Sequence, residues 1–198
     1  SYVKLKTIEK APDFMFSSVY AYRVIPNFLS VIVPDFLENF VNTSLISAKP
    51  FILKQGAIFY HSIFLINLVF FLGSSFVLNK ILKFSPNLFT SDGRVRKLLH
   101  LAGFFMMVIT QYVPTNCDSI AIFFFLLGVF FSLRFAKFRQ NKDLFFLCLT
   151  IFISTFVRET ACLNIAFFAS LLFAYKNFSF KEFRLYKEIA FVVFAFVL

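Results

Sequence analysis

The sequence predicts an all-α fold: a polytopic transmembrane helix bundle of about five full spans plus a truncated sixth, with an N-terminal interfacial amphipathic helix on the outer side. Three observations predict it. The chain is 60% hydrophobic and carries 35 phenylalanines in 198 residues, more apolar surface than a soluble domain of that size could bury. The apolar residues fall in blocks, at 57–78, 98–113, 119–133, 144–157 and 161–175, with a sixth beginning at 189. Short basic loops separate alternate blocks, the pattern of a chain that crosses a bilayer repeatedly.

The basic loops set the orientation. Residues 79–97 carry Lys80, Lys83, Arg94, Arg96 and Lys97 against Asp92. Residues 134–143 carry Arg134, Lys137, Arg139 and Lys142 against Asp143, and 176–188 carry Lys176, Lys181, Arg184 and Lys187 against Glu182 and Glu188. The alternate connections, PTNCD at 114–118 and RET at 158–160, hold a single basic residue between them. The positive-inside rule places the three basic loops in the cytoplasm and leaves PTNCD, RET and residues 1–56 outside. The formal charge of +10 therefore points to membrane lipids as partners, with no nucleic acid involved.

Residues 144–175 pose one choice. As a single helix they would run about 48 Å, well beyond a hydrocarbon core of about 30 Å, and would put two basic loops on opposite sides. A hairpin with Arg158 and Glu159 at its outer tip resolves both problems. Its arms of 14 and 15 residues are short of a full crossing, as are the arms of the neighbouring hairpin over 98–133. The tips are therefore expected to be recessed from the surface, lining a cavity walled by protein.

Residues 1–56 form a separate extracytoplasmic segment, and 57–198 form the bundle. Phe28, Leu29, Ile32, Phe36, Leu37, Phe40 and Val41 recur at helical spacing within NFLSVIVPDFLENFVN (27–42). Asp35, Glu38 and Pro34 make this stretch too polar and interrupted to span, so an interfacial helix is expected, kinked or split at Pro34. The opening Ser1 and the apolar final run IAFVVFAFVL read as a piece of a longer protein.

Ionisable residues near membrane depth are the natural candidates for chemistry. Arg158 could hold a phosphate bidentately, with Glu159 fixing its orientation or binding a cation; alternatively the pair is a surface turn in the headgroup layer. Gly, Asn and Pro are missing from that turn, which favours the first reading. Asp118 could N-cap the helix that starts at Ser119, or serve in proton transfer or metal ligation facing Arg158. Gln111 lies beside it. Arg23, next to Tyr22, could pair with lipid phosphate or reach a substrate's phosphate, and Asp13 is a further outer carboxylate. Cys117, Cys148 and Cys162 lack paired metal spacing and are expected to be free thiols. No phosphate-binding glycine loop, G-x-S-x-G, H-E-x-x-H or channel-filter sequence is present.

Three elements follow in order: AYRVIP at 21–26, Asp118 opening an apolar helix, and FVRET at 156–160. Together they resemble the YR-x-x-P, D and RET pattern of bacterial polytopic membrane proteins similar to C-type glycosyltransferases. The resemblance implies an enzyme of the bacterial plasma membrane that takes a polyprenyl-phosphate-linked sugar at the outer face, with or without a divalent metal ion. Tyr22, Arg23, Pro26, Asp118, Arg158 and Glu159 match the pattern. The family's usual catalytic carboxylate lies in the first outer loop, where this chain offers only Asp13. A transporter, flippase or polymerase of lipid-linked saccharides is an alternative, as is a non-catalytic membrane subunit.

Overall fold

The computed structural model describes residues 23–44, 57–84, 92–110, 117–175 and 183–197. Among them the chain is all-α: α1 (Val24–Ser44), α2 (Ala57–Phe84), α3 (Gly93–Thr110), α4 (Asp118–Phe138), α5 (Asn141–Thr155), α6 (Cys162–Tyr175) and α7 (Phe183–Val197). A single 3₁₀ turn, Glu159–Ala161, precedes α6. Three helices, α1, α2 and α4, are long and apolar enough to cross a membrane. The others fall short of that measure through length or through charge, so the expected five full spans are not reproduced on length and composition alone.

The helices run further than the apolar blocks. Lysine and arginine are good helix formers, and their charge is favourable in a last turn, so charged stretches extend helices as well as interrupt them. Lys80 and Lys83 belong to α2, Arg94, Arg96 and Lys97 to α3, and Arg134 and Lys137 to α4. Only Arg139 and Gln140 connect α4 to α5. Arg139 takes the left-handed conformation (φ 53°, ψ 33°) and donates its backbone N–H to Phe135 O at 2.8 Å. This overturns part of the recessed-tip expectation. With 21 residues, α4 reaches a full crossing, whereas α5 and α6 stay at 15 and 14.

Pro34 does not split α1, whose 21 residues are long and apolar enough to cross a membrane, against the expectation of a stretch too polar and interrupted to span. The proline is buried, and the packing of α1 on α2 carries the helix past the missing hydrogen bond. A stripe of exposed apolar residues, Val24, Phe28, Ile32, Phe36 and Phe40, runs along the other side.

Helix α4 is the centre, packed against α2, α5 and α6. At its C-terminal end, Phe135 joins Leu147 and Ile151 of α5, Phe168 and Leu172 of α6, and Val192 of α7. Asn164 early in α6 meets Phe124 early in α4, and Phe168 further on meets Phe135 near the end of α4, so the chain turns back at RET. At the other end Ile120 packs with Ile66 of α2 and with Val157, which is fully buried just ahead of Arg158. Ile25, Leu29 and Val33 of α1 close over this second cluster. His100 ties α3 to α2 through the hydroxyl and carbonyl of Ser75, each at 3.1 Å.

One polar contact lies deep between α4 and α6. Asn164 is fully buried, and its Nδ2 donates to Phe124 O at 3.5 Å. It fits only because residue 128 is glycine: a Cβ there would lie 2.5 Å from Asn164 Cγ and Oδ1. Close helix approach at a small residue is a common device of membrane bundles. Gly128→Ala is expected to destabilise the protein by about 1–3 kcal/mol through overpacking. Adding Asn164→Ala should recover most of that loss, both read as thermal unfolding in detergent.

Candidate functional site

The RET tip is built from the backbone upward. Helix α5 ends as Phe156 N–H bonds to Ile153 O (3.2 Å) and Val157 N–H to Ser154 O (3.0 Å). Arg158 is extended (φ −164°, ψ 152°), and its carbonyl accepts the N–H of Ala161 at 3.2 Å to start the 3₁₀ turn. None of these residues needs a positive φ, so the turn does not require glycine or asparagine. The missing turn residues therefore reflect this geometry and do not by themselves argue for function.

Val157 anchors the tip by burial, and the extended Arg158 carries its side chain across to α4. There Arg158 Nη1 forms an ion pair and hydrogen bond with Asp118 Oδ1, both side chains about one-third exposed. Asp118 is the first residue of α4, one position inside the expected N-cap, and the N-cap position is Cys117, without a side-chain cap. A carboxylate at a helix N-terminus also gains from the partial positive charge there.

Glu159 points elsewhere. Its ion pair among the described residues is with Arg23, Nη2 to Oε2 at 3.7 Å, so it does not orient Arg158 as the sequence suggested. Neighbouring residues in a tight turn direct their side chains apart, and here they serve different helices. Arg23 Nη1 also reaches Cys117 Sγ at 3.7 Å, and the Cys117 thiol lies 3.7 Å from Asp118 Oδ1. A backbone bond from Ile25 N–H to Phe156 O (3.2 Å) fixes the start of α1 to the same tip.

Arg23, Asp118, Arg158 and Glu159, from three separate parts of the chain, therefore meet around Cys117. Tyr22, Gln111 and Asp13 lie outside the described residues. The three cysteines are free, Cys117 buried and Cys162 exposed. Among the described residues no three His, Cys, Asp or Glu side chains assemble to hold a metal ion.

Beside the Arg158–Asp118 pair opens a cleft of about 360 Å³, lined by Asp118, Ala121, Ile122, Phe125, Arg158, Thr160 and Leu163. The α4 members fall at i, i+3, i+4 and i+7, one face of the helix. One end of the cleft is charged and the rest is apolar, with the Thr160 hydroxyl as an extra polar group at the tip. Sequence reasoning passed over Thr160 and Val157, although both lie inside the quoted FVRET; the heptad-like spacing from Asp118 to Phe125 was the available signal for the wall.

Compared with known families, with curated proteins and with solved structures, the chain matches none. The likeness to C-type glycosyltransferases thus rests on its three short sequence elements.

The pair between Arg158 and Asp118 is partly solvated, so its worth is modest. A double-mutant cycle of Arg158→Ala and Asp118→Ala, followed by unfolding in detergent, is expected to give a coupling of about 1 kcal/mol.

Proposed function

We propose that this chain is an integral membrane enzyme resembling glycosyltransferases, acting at the outer membrane face on a sugar linked to a lipid phosphate. The observation that carries this reading is the cleft with Arg158 and Asp118 at its polar end and an apolar wall running down α4. Its volume falls within the roughly 300–1,000 Å³ typical of ligand sites. A lipid-borne substrate has this same division between a charged head and an apolar tail.

In this reading the substrate's phosphate takes the guanidinium of Arg158, whose fork of N–H donors suits phosphate oxygens. That exchange frees the Asp118 carboxylate. The acceptor hydroxyl then gives its proton to Asp118 while its oxygen bonds to the anomeric carbon. The bond from that carbon to the phosphate oxygen breaks, its electron pair leaving with the phosphate, where Arg158 stabilises the developing charge. The sequence expectation of a divalent metal ion enters no step here. Arg23 and Glu159 are positioning residues that hold α1 against the tip, and the exposed apolar stripe of α1 faces lipid.

A second reading has its own observation in favour. The four charged side chains described around the RET tip pair two by two, which is what a structural clamp in a non-catalytic membrane subunit would show.

Activity separates the two. Arg158→Ala and Asp118→Ala are each expected to lower sugar transfer to a lipid or saccharide acceptor by at least about a hundredfold while leaving membrane insertion intact. Normal transfer by both variants would sink the enzymatic reading, and a stable, fully functional Arg158→Met/Glu159→Gln protein would favour the clamp. Orientation is checked separately. In a Cys117→Ser/Cys148→Ser background, a membrane-impermeant maleimide is expected to label Cys162 from outside intact cells.

A further inference from the structure

The C-terminal ends of α2 and α4 treat their cations in two ways. The arginines are turned inward to carboxylates: Arg134 Nε lies 3.0 Å from Asp143 Oδ1, and Arg139 Nη1 3.1 Å from Glu188 Oε2. Both arginines also lie over rings, Arg134 5.7 Å from Phe130 and Arg139 5.4 Å from Phe135, whereas the lysines lie on rings with no carboxylate in ion-pair distance among the described residues. Lys80 Nζ sits 4.5 Å from the centre of the Phe76 ring, and Lys137 Nζ lies 4.9 Å from Phe84 and 5.6 Å from Phe138. Phe84 and Phe138 themselves touch edge to face, with ring centres 5.7 Å apart. Phe76, Lys80 and Phe84 follow at i, i+4 and i+8, so they share one face of α2, and α4 supplies Lys137 and Phe138 beside it.

Two features of this face call for an anion from outside the chain. Among the described residues, no carboxylate lies within ion-pair distance of Lys80 or Lys137. The Lys80 ammonium also folds back along α2 over Phe76, towards the apolar middle of the helix, where water is scarce and a counter-charge counts most. Each lysine does offset the partial negative charge at its own helix end. That task needs no aromatic floor, however, and leaves most of the positive charge over. The floor itself is open, with Phe76 60% and Phe138 49% exposed, in a chain whose α2 and α4 can cross a membrane.

We propose that the Phe76–Lys80–Phe84 face of α2, together with Lys137 and Phe138 of α4, is a binding site for one anionic phospholipid. Its headgroup is held by Lys80 and Lys137, and its acyl chains lie along Phe76 and Phe138. The occupant is a lipid because the aromatic part of the face has no role in holding free phosphate. The site lies at the opposite end of α4 from Asp118 and is independent of any reaction in the outer cleft.

The test uses the full chain in nanodiscs of phosphatidylcholine with a minor share of phosphatidylglycerol, read by native mass spectrometry. The wild type is expected to retain one phosphatidylglycerol in preference to phosphatidylcholine. A lysine near an anionic headgroup contributes about 1 kcal/mol, roughly a fivefold preference, so Lys80→Gln/Lys137→Gln should lower retention by at least about fivefold. Lys80→Arg/Lys137→Arg should keep it, and Lys142→Gln, at the start of α5, should leave it unchanged. An equal loss in Lys142→Gln would mean a diffuse surface charge and overturn the proposal, as would no loss in the double glutamine variant. Should that variant fail to purify as a monodisperse protein, the wild-type spectrum decides, since no preferential retention of phosphatidylglycerol overturns the site by itself.

Discussion

Helix α4 is apolar along its whole middle and carries charge only at its ends, and the surrounding helices are arranged by that fact. Asp118 opens it, where the helix dipole favours a negative group, and Arg134 and Lys137 lie in its last turns, where a positive group is favoured. Each end is then tied to a neighbour by an ion pair: Asp118 to Arg158 at the start, and Arg134 to Asp143 at the finish. The pairs differ in depth. The Asp143 side chain is 2% exposed, so removing Arg134 would strand a buried charge, whereas Asp118 and Arg158 keep partial access to water. The buried pair fixes the turn between α4 and α5. The accessible pair is the one that another anion could enter.

That difference bears on how one arrangement serves as clamp and as site. A phosphate arriving at Arg158 must replace a carboxylate already in place, so it gains only the excess of its own interaction over that of Asp118. Partial hydration keeps the resident pair weak, which makes the exchange feasible. The second pair, Arg23 with Glu159, lies off the cleft wall and is spaced more loosely at 3.7 Å. It can hold α1 throughout such an exchange, so the tip does not depend on Arg158 and Asp118 alone. Val157 adds to this, because its burial among Ile66 and Ile120 fixes the tip without any charge.

The sequence made the helical class and the return at RET legible, because both follow from length and charge: a single helix over 144–175 is too long, and the loop charges alternate. The approach of Asp118 to Arg158 was legible for the same reason, since the loop charges put the PTNCD and RET connections on one side. Helix ends were not. Lys80, Arg134 and Lys142 look like loop residues in a hydropathy profile, yet lysine and arginine propagate helices well, so charge did not mark the helix boundary. Pro34 misled because its effect depends on the packing of α1 on α2, which no local pattern contains. The partner of Glu159 was hidden too, since it is Arg23, more than a hundred residues away, and adjacency to Arg158 suggested the wrong one. Asn164 and Gly128 carry no signal singly; each makes sense only once the crossing of α4 and α6 is known.

The two ends of the bundle use the same residue types to different effect, and geometry explains why. Arginine presents several donors in a rigid plane, so it suits a fixed partner within the fold, and four arginines of the described residues are used that way: Arg23, Arg134, Arg139 and Arg158. Lysine is a point charge on a flexible stem that can lie along apolar surface while offering its charge outward. Lys80 and Lys137 do this over phenylalanine rings. At the RET end the described charges pair two by two, Arg158 with Asp118 and Arg23 with Glu159, so an anion at Arg158 enters by exchange. At the opposite end Arg134 and Arg139 are paired while Lys80 and Lys137 have no carboxylate partner among the described residues, so an anion can be added there without displacing one. Exchange suits a transient occupant and addition suits a resident one, which is the division expected between a substrate and a structural lipid.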